Sequence, residues 1–280
     1  IEPDEPEKTF SEVYEAFYAD EFTEGHKYSA STVRAIQAGY RNCKSLYDKE
    51  FRALRSKDLQ DNLDACTLKH ASLEHIKNLY RQMYKYADGQ GWCDKDYSRY
   101  VKIKKADDDK HGVPFSDAEL KTLWANVHNE TAEMILIICY SGWRISEYLD
   151  MRIDLDDKYL FGGSKTDAGK ERTVPIHSAI FPLVERRLKE FGCILPCSPE
   201  DFREQMDGLL NSLGFINEPK HTPHDCRHTF SRLCEKYGVR ENDRKRMLGH
   251  SFGNDITNRI YGHRDLEDLR KEIEKIKVVL

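Results

Sequence analysis

A polar, charged break divides this chain into two parts with different sequence patterns. Residues 102–110 read KIKKADDDK and lead into Gly112 and Pro114, a composition that favours an exposed connection over a buried helix or strand. The break predicts one domain over residues 1–105, a linker over 106–114 and a second domain over 115–280. A length of 280 residues is sufficient for two domains.

The part before the break carries only helical patterns. Thr9 and Glu12 form a capping box that predicts a helix starting near Phe10, and Ser31 is a candidate N-cap for a second helix. Further helices are predicted over residues 58–66 and 72–88, so the first domain should be all-α. Apolar residues in and after the second helix recur at spacings of three and four: Val33, Ile36, Tyr40, Cys43 and Tyr47.

The part after the break combines helices with a small sheet. Ser116 and Glu119 form another capping box, residues 132–140 are apolar enough for a buried helix, and a helix is predicted to begin at Arg144. Two short strands are predicted over 159–162 and 170–176, around a turn rich in Gly and Asp. Three helices are predicted over 178–191, 199–213 and 223–237, and a fourth begins at a cap at Asn242. A last helix is predicted over 265–280, with an apolar face formed by Leu266, Leu269, Ile273 and Ile276. The predicted fold class is therefore mainly α with a small antiparallel sheet.

Charge is unevenly distributed, although the net charge is only −5. Residues 1–25 hold one Lys and nine acids, whereas residues 26–105 hold 17 Lys and Arg and nine acids. A basic block of this kind is typical of a surface that binds a phosphate backbone, or is the ordinary charged exterior of helices. The candidate DNA-binding residues lie in a stripe along the second helix and beside the break: Arg34, Gln37, Arg41, Lys44, Lys102, Lys104 and Lys105.

Several protein classes are excluded by what the chain lacks. No apolar run approaches the roughly 20 residues of a membrane span, and the acidic start does not resemble a signal peptide. The eight cysteines are scattered without close pairs, which predicts reduced thiols and a reducing compartment, the cytoplasm of a bacterial host. Cys193 and Cys197 form at most half of a metal site, so neither a metal nor a cofactor is expected. The start at Ile1 suggests that an N-terminal piece has been removed.

Side chains suited to phosphoryl chemistry concentrate between residues 220 and 262. This stretch holds HDCRHTF at 224–230, LGHS at 248–251 and YGH at 261–263. Two earlier motifs complete the set, SGWRISEYL at 141–149 and GSKTDAGK at 163–170. Five motifs in this order, over roughly residues 8–280, resemble the tyrosine recombinases of the lambda-integrase type.

The resemblance implies an N-terminal core-binding domain of SAM-like fold and a catalytic domain with the DNA breaking-rejoining enzyme fold. Its catalytic residues would be Arg144, Lys165, His224, Arg227, His250 and Tyr261. Guanidinium groups suit the charge that develops on non-bridging phosphate oxygens, and a cation on a turn suits a general acid. Lys170 and Arg172 are rivals to Lys165 as that acid, and whether Tyr261 acts in cis or in trans stays open.

The expected activity is site-specific recombination by the integrase of a phage or conjugative element. The tyrosine would attack a scissile phosphate, form a 3′-phosphotyrosine and pass through a Holliday junction. Expected partners are duplex recombination sites, other copies of the chain in a dimer or tetramer assembled through the C-terminal helix, and an accessory DNA-bending protein. The alternatives are DNA relaxation by a type IB topoisomerase and a DNA-binding accessory that has kept the fold but lost the chemistry.

Overall fold

The computed structural model describes residues 7–23, 28–106, 112–163, 171–215, 220–251 and 265–278. Its backbone forms two compact units, Ile1–Lys110 and His111–Leu280. Each unit has its own hydrophobic core. Among the described helices, none combines the length and apolar character that a membrane crossing requires.

The first unit is a helical bundle built around one long helix. It contains α1 (Phe10–Tyr18), a π-helical turn (Ala19–Thr23), α2 (Ala30–Arg41), α3 (Ser56–Asp64) and α4 (His70–Gly89), with short 3₁₀ turns at Lys44–Leu46 and Ser98–Tyr100. Apolar residues at helical spacing along α4 are buried: Leu73, Ile76, Leu79, Met83 and Ala87. Aromatic rings from α1 and α2 stack on one another, with the Tyr14 and Tyr40 centroids 3.6 Å apart.

The helix starts of the first unit follow local capping chemistry, with one correction. At α1, the Thr9 amide donates to Glu12 Oε2 at 2.7 Å, as the capping box predicts. At α2, the prediction of Ser31 as the cap was wrong, because Ser29 accepts a hydrogen bond from the Thr32 amide. Because α2 ends at Arg41, the later members of the predicted apolar face lie beyond the α-helix.

The second unit surrounds one fully buried helix. It contains α5 (Asp117–Ala125), α6 (Glu130–Ser141), a 3₁₀ turn (Ile145–Leu149), β1 (Arg152–Asp154), β2 (Tyr159–Gly162), β3 (Arg172–Pro175), α7 (Phe181–Phe191), α8 (Pro199–Ser212), α9 (Pro223–Lys236), α10 (Glu241–Leu248) and α11 (Leu266–Ile273). Residues 132–141 of α6 are all buried, and α5, α7, α8 and α9 pack around them. The sheet is antiparallel in the order β1-β2-β3, with Leu160 opposite Val174.

Three expectations for the second unit were wrong in detail. The segment after Arg144, predicted as a helix, is a 3₁₀ turn, and Leu149 at its end is 51% exposed. The N-cap position of α10 is Arg240 and not Asn242. Strand β1 was not predicted, because three residues are too few to show the alternation that marks a strand.

The C-terminal helix packs on its own unit. Leu269, Ile273 and Ile276 are buried in the core of the second unit, against β3 and α10. The segment that follows the helix is held by His177, whose Nε2 donates to the carbonyl of Ile276 at 2.8 Å. The apolar face that sequence reasoning assigned to docking is thus covered within a single chain.

Candidate active site

The motif at 224–230 opens helix α9 and places two predicted site residues one turn apart. Thr222 is the N-cap of the helix. The Thr222 amide and hydroxyl donate hydrogen bonds to Asp225 Oδ2 at 2.6 and 2.8 Å. His224 is exposed, whereas Arg227 is 3% exposed. The helix start therefore presents an imidazole at the surface above a buried guanidinium.

Arg227 joins the two loops that carry the other predicted site residues. Its Nη1 donates to the carbonyl of Gly142 at 2.7 Å, and its Nη2 donates to the carbonyl of Leu248. Gly142 ends α6 two residues before Arg144, and Leu248 ends α10 two residues before His250. One buried guanidinium thus holds the segments of Arg144 and His250 next to α9.

Both loops turn on a glycine in the left-handed backbone region. Gly142 has a φ of 73° and Gly249 a φ of 65°. Residues with a Cβ rarely adopt this conformation, and glycine there ends a helix sharply. The glycines of the SGWR and LGHS motifs therefore allow the chain to turn immediately before Arg144 and His250.

Arg144 is anchored by a carboxylate three residues later. Its amide donates to Glu147 Oε2 at 2.8 Å, and its Nη1 donates to Glu147 Oε1 at 3.1 Å. Glu147 is also bound by Arg172, with Arg172 Nη2 2.7 Å from Oε2. Burial alone would raise the pKa of the Glu147 carboxyl, but the hydrogen bonds and charges of Arg172 and Arg144 hold that pKa below its ordinary value.

The electrostatics place five cationic or titratable groups together, here called the cation cluster: Arg144, Arg172, Arg227, His224 and His250. Burial, then Arg144 and Arg172, lower the pKa of Arg227 to about 9. Partial burial, then His228, Arg227 and Arg144, lower the pKa of His224. Partial burial, then Arg227 and Arg144, lower the pKa of His250 to about 4. Because these groups disfavour one another's positive charge, the cluster is suited to an anion.

Two of the predicted catalytic residues are not among those that the structure describes. Lys165 and Tyr261 lie outside the described residues. The His228 ring stands edge-on to that of His224, with centroids 4.7 Å apart. Within the described ranges, no group of three or more His, Cys, Asp or Glu side chains could hold a metal ion.

Arg172 was only partly anticipated. The sequence suggested it as a rival to Lys165 for the role of general acid; in the structure it is a buried residue of β3 that pairs with Glu147. No local signal in the sequence could have found this pairing, because Arg172 and Glu147 are 25 residues apart.

The predicted DNA-binding residues of the first unit are only partly available for contact. Arg34, Arg41 and Lys44 are exposed. Gln37 is half-buried, and its Nε2 donates to the Tyr18 hydroxyl at 2.8 Å, so it does not project as a free base-reading amide. Near the end of the unit, Lys104 pairs with Asp64, Lys105 Nζ donates to the Leu68 carbonyl at 2.8 Å, and the Lys102 amide donates to Gln60 Oε1 at 2.9 Å.

The cation cluster lies where α6, α9 and α10 meet, in a chain whose fold is that of lambda-type integrases. The sequence model of the phage integrase family matches residues 114–267, more than half of the chain. The chain belongs to the phage integrase family, and its enzyme class is that of a tyrosine-type, site-specific DNA recombinase.

Relatives by sequence carry the same class name. The chain is 29% identical over 229 residues to the tyrosine recombinase XerD of Caulobacter vibrioides. The aligned region covers 72% of this chain and 73% of that protein. It is 28% identical over 179 residues to the tyrosine recombinase XerA of Pyrococcus horikoshii, covering 59% and 61% respectively.

Solved structures of two integrases share the fold. The Tn1549 transposon integrase, in complex with circular intermediate DNA, has a TM-score of 0.72 at 17% identity and covers 94% of this chain and 99% of its own. A lambda integrase tetramer bound to a Holliday junction has a TM-score of 0.74 at 16% identity. The match covers 89% of this chain and 79% of the lambda integrase chain. At these identities the likeness establishes the fold.

Proposed function

We propose that this chain cuts and rejoins DNA through a covalent 3′-phosphotyrosine on Tyr261 and exchanges strands through a Holliday junction. The observation that carries the proposal is the cation cluster, in which Arg227 ties the Arg144 loop and the His250 loop to the start of α9. A pentavalent phosphate is the anion that such a cluster is suited to stabilise. The host element is a phage or a conjugative element, by analogy with the integrases that share the fold.

The chemistry divides among the side chains as follows. The phenolate oxygen of Tyr261 attacks phosphorus, the bond from phosphorus to the 5′ oxygen breaks, and Lys165 gives that oxygen its proton. Arg144 and Arg227 bind the non-bridging oxygens, His250 donates a hydrogen bond to one of them, and His224 either does the same or takes the tyrosine proton. A 5′ hydroxyl from a partner strand reverses these steps, so the number of phosphodiester bonds is conserved and no external energy source is consumed.

Binding of the duplex would involve both parts of the chain. We assign residues 1–105 to a core-binding domain, 106–114 to a linker and 115–280 to the catalytic domain. The exposed cations Arg34, Arg41 and Lys44 are the best-placed phosphate contacts of the first domain, since phosphate contacts require accessible, unpaired cations. The side chains of Gln37, Lys104 and Lys105 would first have to leave partners within the first unit, whereas the bond that Lys102 makes to Gln60 comes from its backbone amide.

Assembly on DNA as a dimer or tetramer completes the proposal. In a single chain, the apolar face of α11 is already buried in the second unit. Exchange of this helix between copies would therefore replace an existing contact with an equivalent one, which is the energetic basis of domain swapping. An accessory DNA-bending protein is a further proposed partner.

The proposal is tested with a half-site duplex nicked close to the cleavage position, so that the released 5′-hydroxyl fragment diffuses away. Wild-type protein should form a protein–DNA adduct that survives denaturation, and Tyr261→Phe should form none. Tyr237→Phe is the matched control, since it removes the hydroxyl of another tyrosine from the same unit and should leave the adduct intact. No adduct with wild type would instead favour a binding protein, and plasmid relaxation without inter-duplex products would favour a topoisomerase.

A further inference from the structure

One buried arginine of the cation cluster, Arg172, contacts three residues in two segments of the site. The Arg172 side chain is 5% exposed. Its Nη1 and Nη2 donate to the two carboxylate oxygens of Glu147 at 3.1 and 2.7 Å. Its Nε donates to the carbonyl of Met247 at 3.1 Å, and its guanidinium carbon lies 3.7 Å from the centre of the Trp143 ring.

Through these contacts Arg172 adjoins the residues that we propose to bind the phosphate, although we do not propose that Arg172 binds the phosphate itself. Glu147 shares its two oxygens between Arg172 and Arg144, so the position of one guanidinium constrains the other. Met247 precedes Leu248, whose carbonyl accepts from Arg227, and leads into the turn of His250. Strand β3 is thereby connected to both loops that Arg227 joins.

Lysine could not reproduce this arrangement. A guanidinium offers five donors in one plane, which allows a paired bond to a carboxylate, a bond to a carbonyl and stacking on an indole at the same time. An ammonium is a compact charge with three donors and no planar face to stack. Substitution of Arg172 by Lys therefore keeps the charge and removes the geometry.

We infer that Arg172 is a positioning residue for DNA cleavage: through Glu147 it fixes the Arg144 guanidinium, and through Met247 it fixes the turn that presents His250. This inference rests on the proposed cleavage chemistry. Since the Arg172 side chain is covered, its loss should slow the chemical step and leave the affinity for DNA nearly unchanged.

The measurement is single-turnover cleavage of the nicked half-site at saturating protein, together with the dissociation constant for the same DNA. For Arg172→Lys we expect the rate constant to fall by about 10- to 100-fold, because displacements on the order of 1 Å at a reacting centre have effects of this size. The dissociation constant should stay within about twofold. Glu147→Gln, which preserves the shape of the side chain, should show the same division between rate and binding.

The double variant separates a shared pathway from two independent effects. If Arg172 acts on Arg144 through Glu147, the combination of Arg172→Lys with Glu147→Gln should be little slower than the slower single variant. Losses that multiply would show that the two residues act independently, and would contradict the inference.

Arg187→Lys is the matched control. Arg187 is also a buried arginine, bound to the Glu133 carboxylate and to the carbonyls of Ile194 and Glu130. Its replacement should lower the melting temperature as Arg172→Lys does, yet leave the cleavage rate constant at saturation unchanged. Equal rate losses for the two variants would reduce the role of Arg172 to general stability and overturn the inference.

The outcomes also distinguish failure of the positioning role of Arg172 from failure of the proposed cleavage chemistry. If wild type and Arg187→Lys form no covalent adduct, the proposed cleavage chemistry fails. If both form it and the Arg172 and Glu147 variants cleave at the wild-type rate, only the positioning role is refuted. Should Arg172→Lys fail to fold, Glu147→Gln alone still tests the pathway.

Discussion

At neutral pH, His250 should be a neutral imidazole in the free protein, because its pKa lies well below that of an ordinary histidine. Partial burial and the nearby charges of Arg227, Arg144, Arg244 and Arg172 lower its pKa from 6.5 to about 4. At pH 7 this value leaves about one molecule in a thousand protonated. A neutral imidazole has one donor and one acceptor nitrogen, which is what a hydrogen bond to a phosphate oxygen requires.

The assay is an NMR titration of protein labelled with ¹³C in the histidine rings. The chain has 11 histidines, so the His250 signal is assigned by its absence in His250→Gln. We expect a midpoint near 4 for wild type and a higher midpoint in Arg144→Gln, because one repelling cation has been removed. Arg186→Gln, which removes a cation that does not act on His250, should leave the midpoint unchanged. A wild-type midpoint between 6 and 7 would refute the electrostatic account of the cluster.

The same shift determines how His250 contributes to stability. Since the unfolded residue ionises near 6.5 and the folded one near 4, the unfolded chain binds more protons between these pH values. The free energy of unfolding should therefore rise with pH across this interval and gain nothing further from His250 above it. Denaturant titrations at several pH values should show a weaker rise in His250→Gln than in wild type.

Three further predictions concern packing and DNA contact. Gly142→Ala should lower the free energy of unfolding by about 1–3 kcal/mol in urea titrations, because the added Cβ would lie 2.3 Å from Phe230 Cδ1 at a φ of 73°; an unchanged midpoint would contradict this. Ile273→Ala should cost about 2–5 kcal/mol in the same assay, and a smaller loss would show that the C-terminal helix is not docked in cis. Arg41→Ala should reduce the salt dependence of DNA affinity by about one unit of slope, whereas the ion-paired Lys104→Ala should change it less.

Local patterns made much of the fold predictable. Capping boxes at Thr9 and Ser116 mark the starts of α1 and α5, because both partners of each hydrogen bond lie within four residues. The buried helix α6 is evident from its run of six apolar residues, 134–139. Where two serines compete, as at Ser29 and Ser31, sequence alone does not choose between caps.

The composition of the site was predictable in part, for the same reason. The order of motifs identified Arg144, His224, Arg227 and His250, and the structure brings these four into one cluster. The roles assigned to Lys165 and Tyr261 stay predictions. The prediction of Gln37 as a DNA-binding residue did not foresee its hydrogen bond to Tyr18, 19 residues away in the sequence.

By itself, the sequence determined the family and the helical character of both units, and it supplied the candidate residues for holding a phosphate, since these depend on residue type and short spacing. Only the tertiary structure decided that Arg227 joins two loops, that Arg172 supports Arg144 through Glu147, and that the last helix packs on its own unit. The reason is separation along the chain: Arg172 finds Glu147 25 residues away and Met247 75 residues away. Contacts at such distances arise from the packing of whole elements, and no local pattern records them.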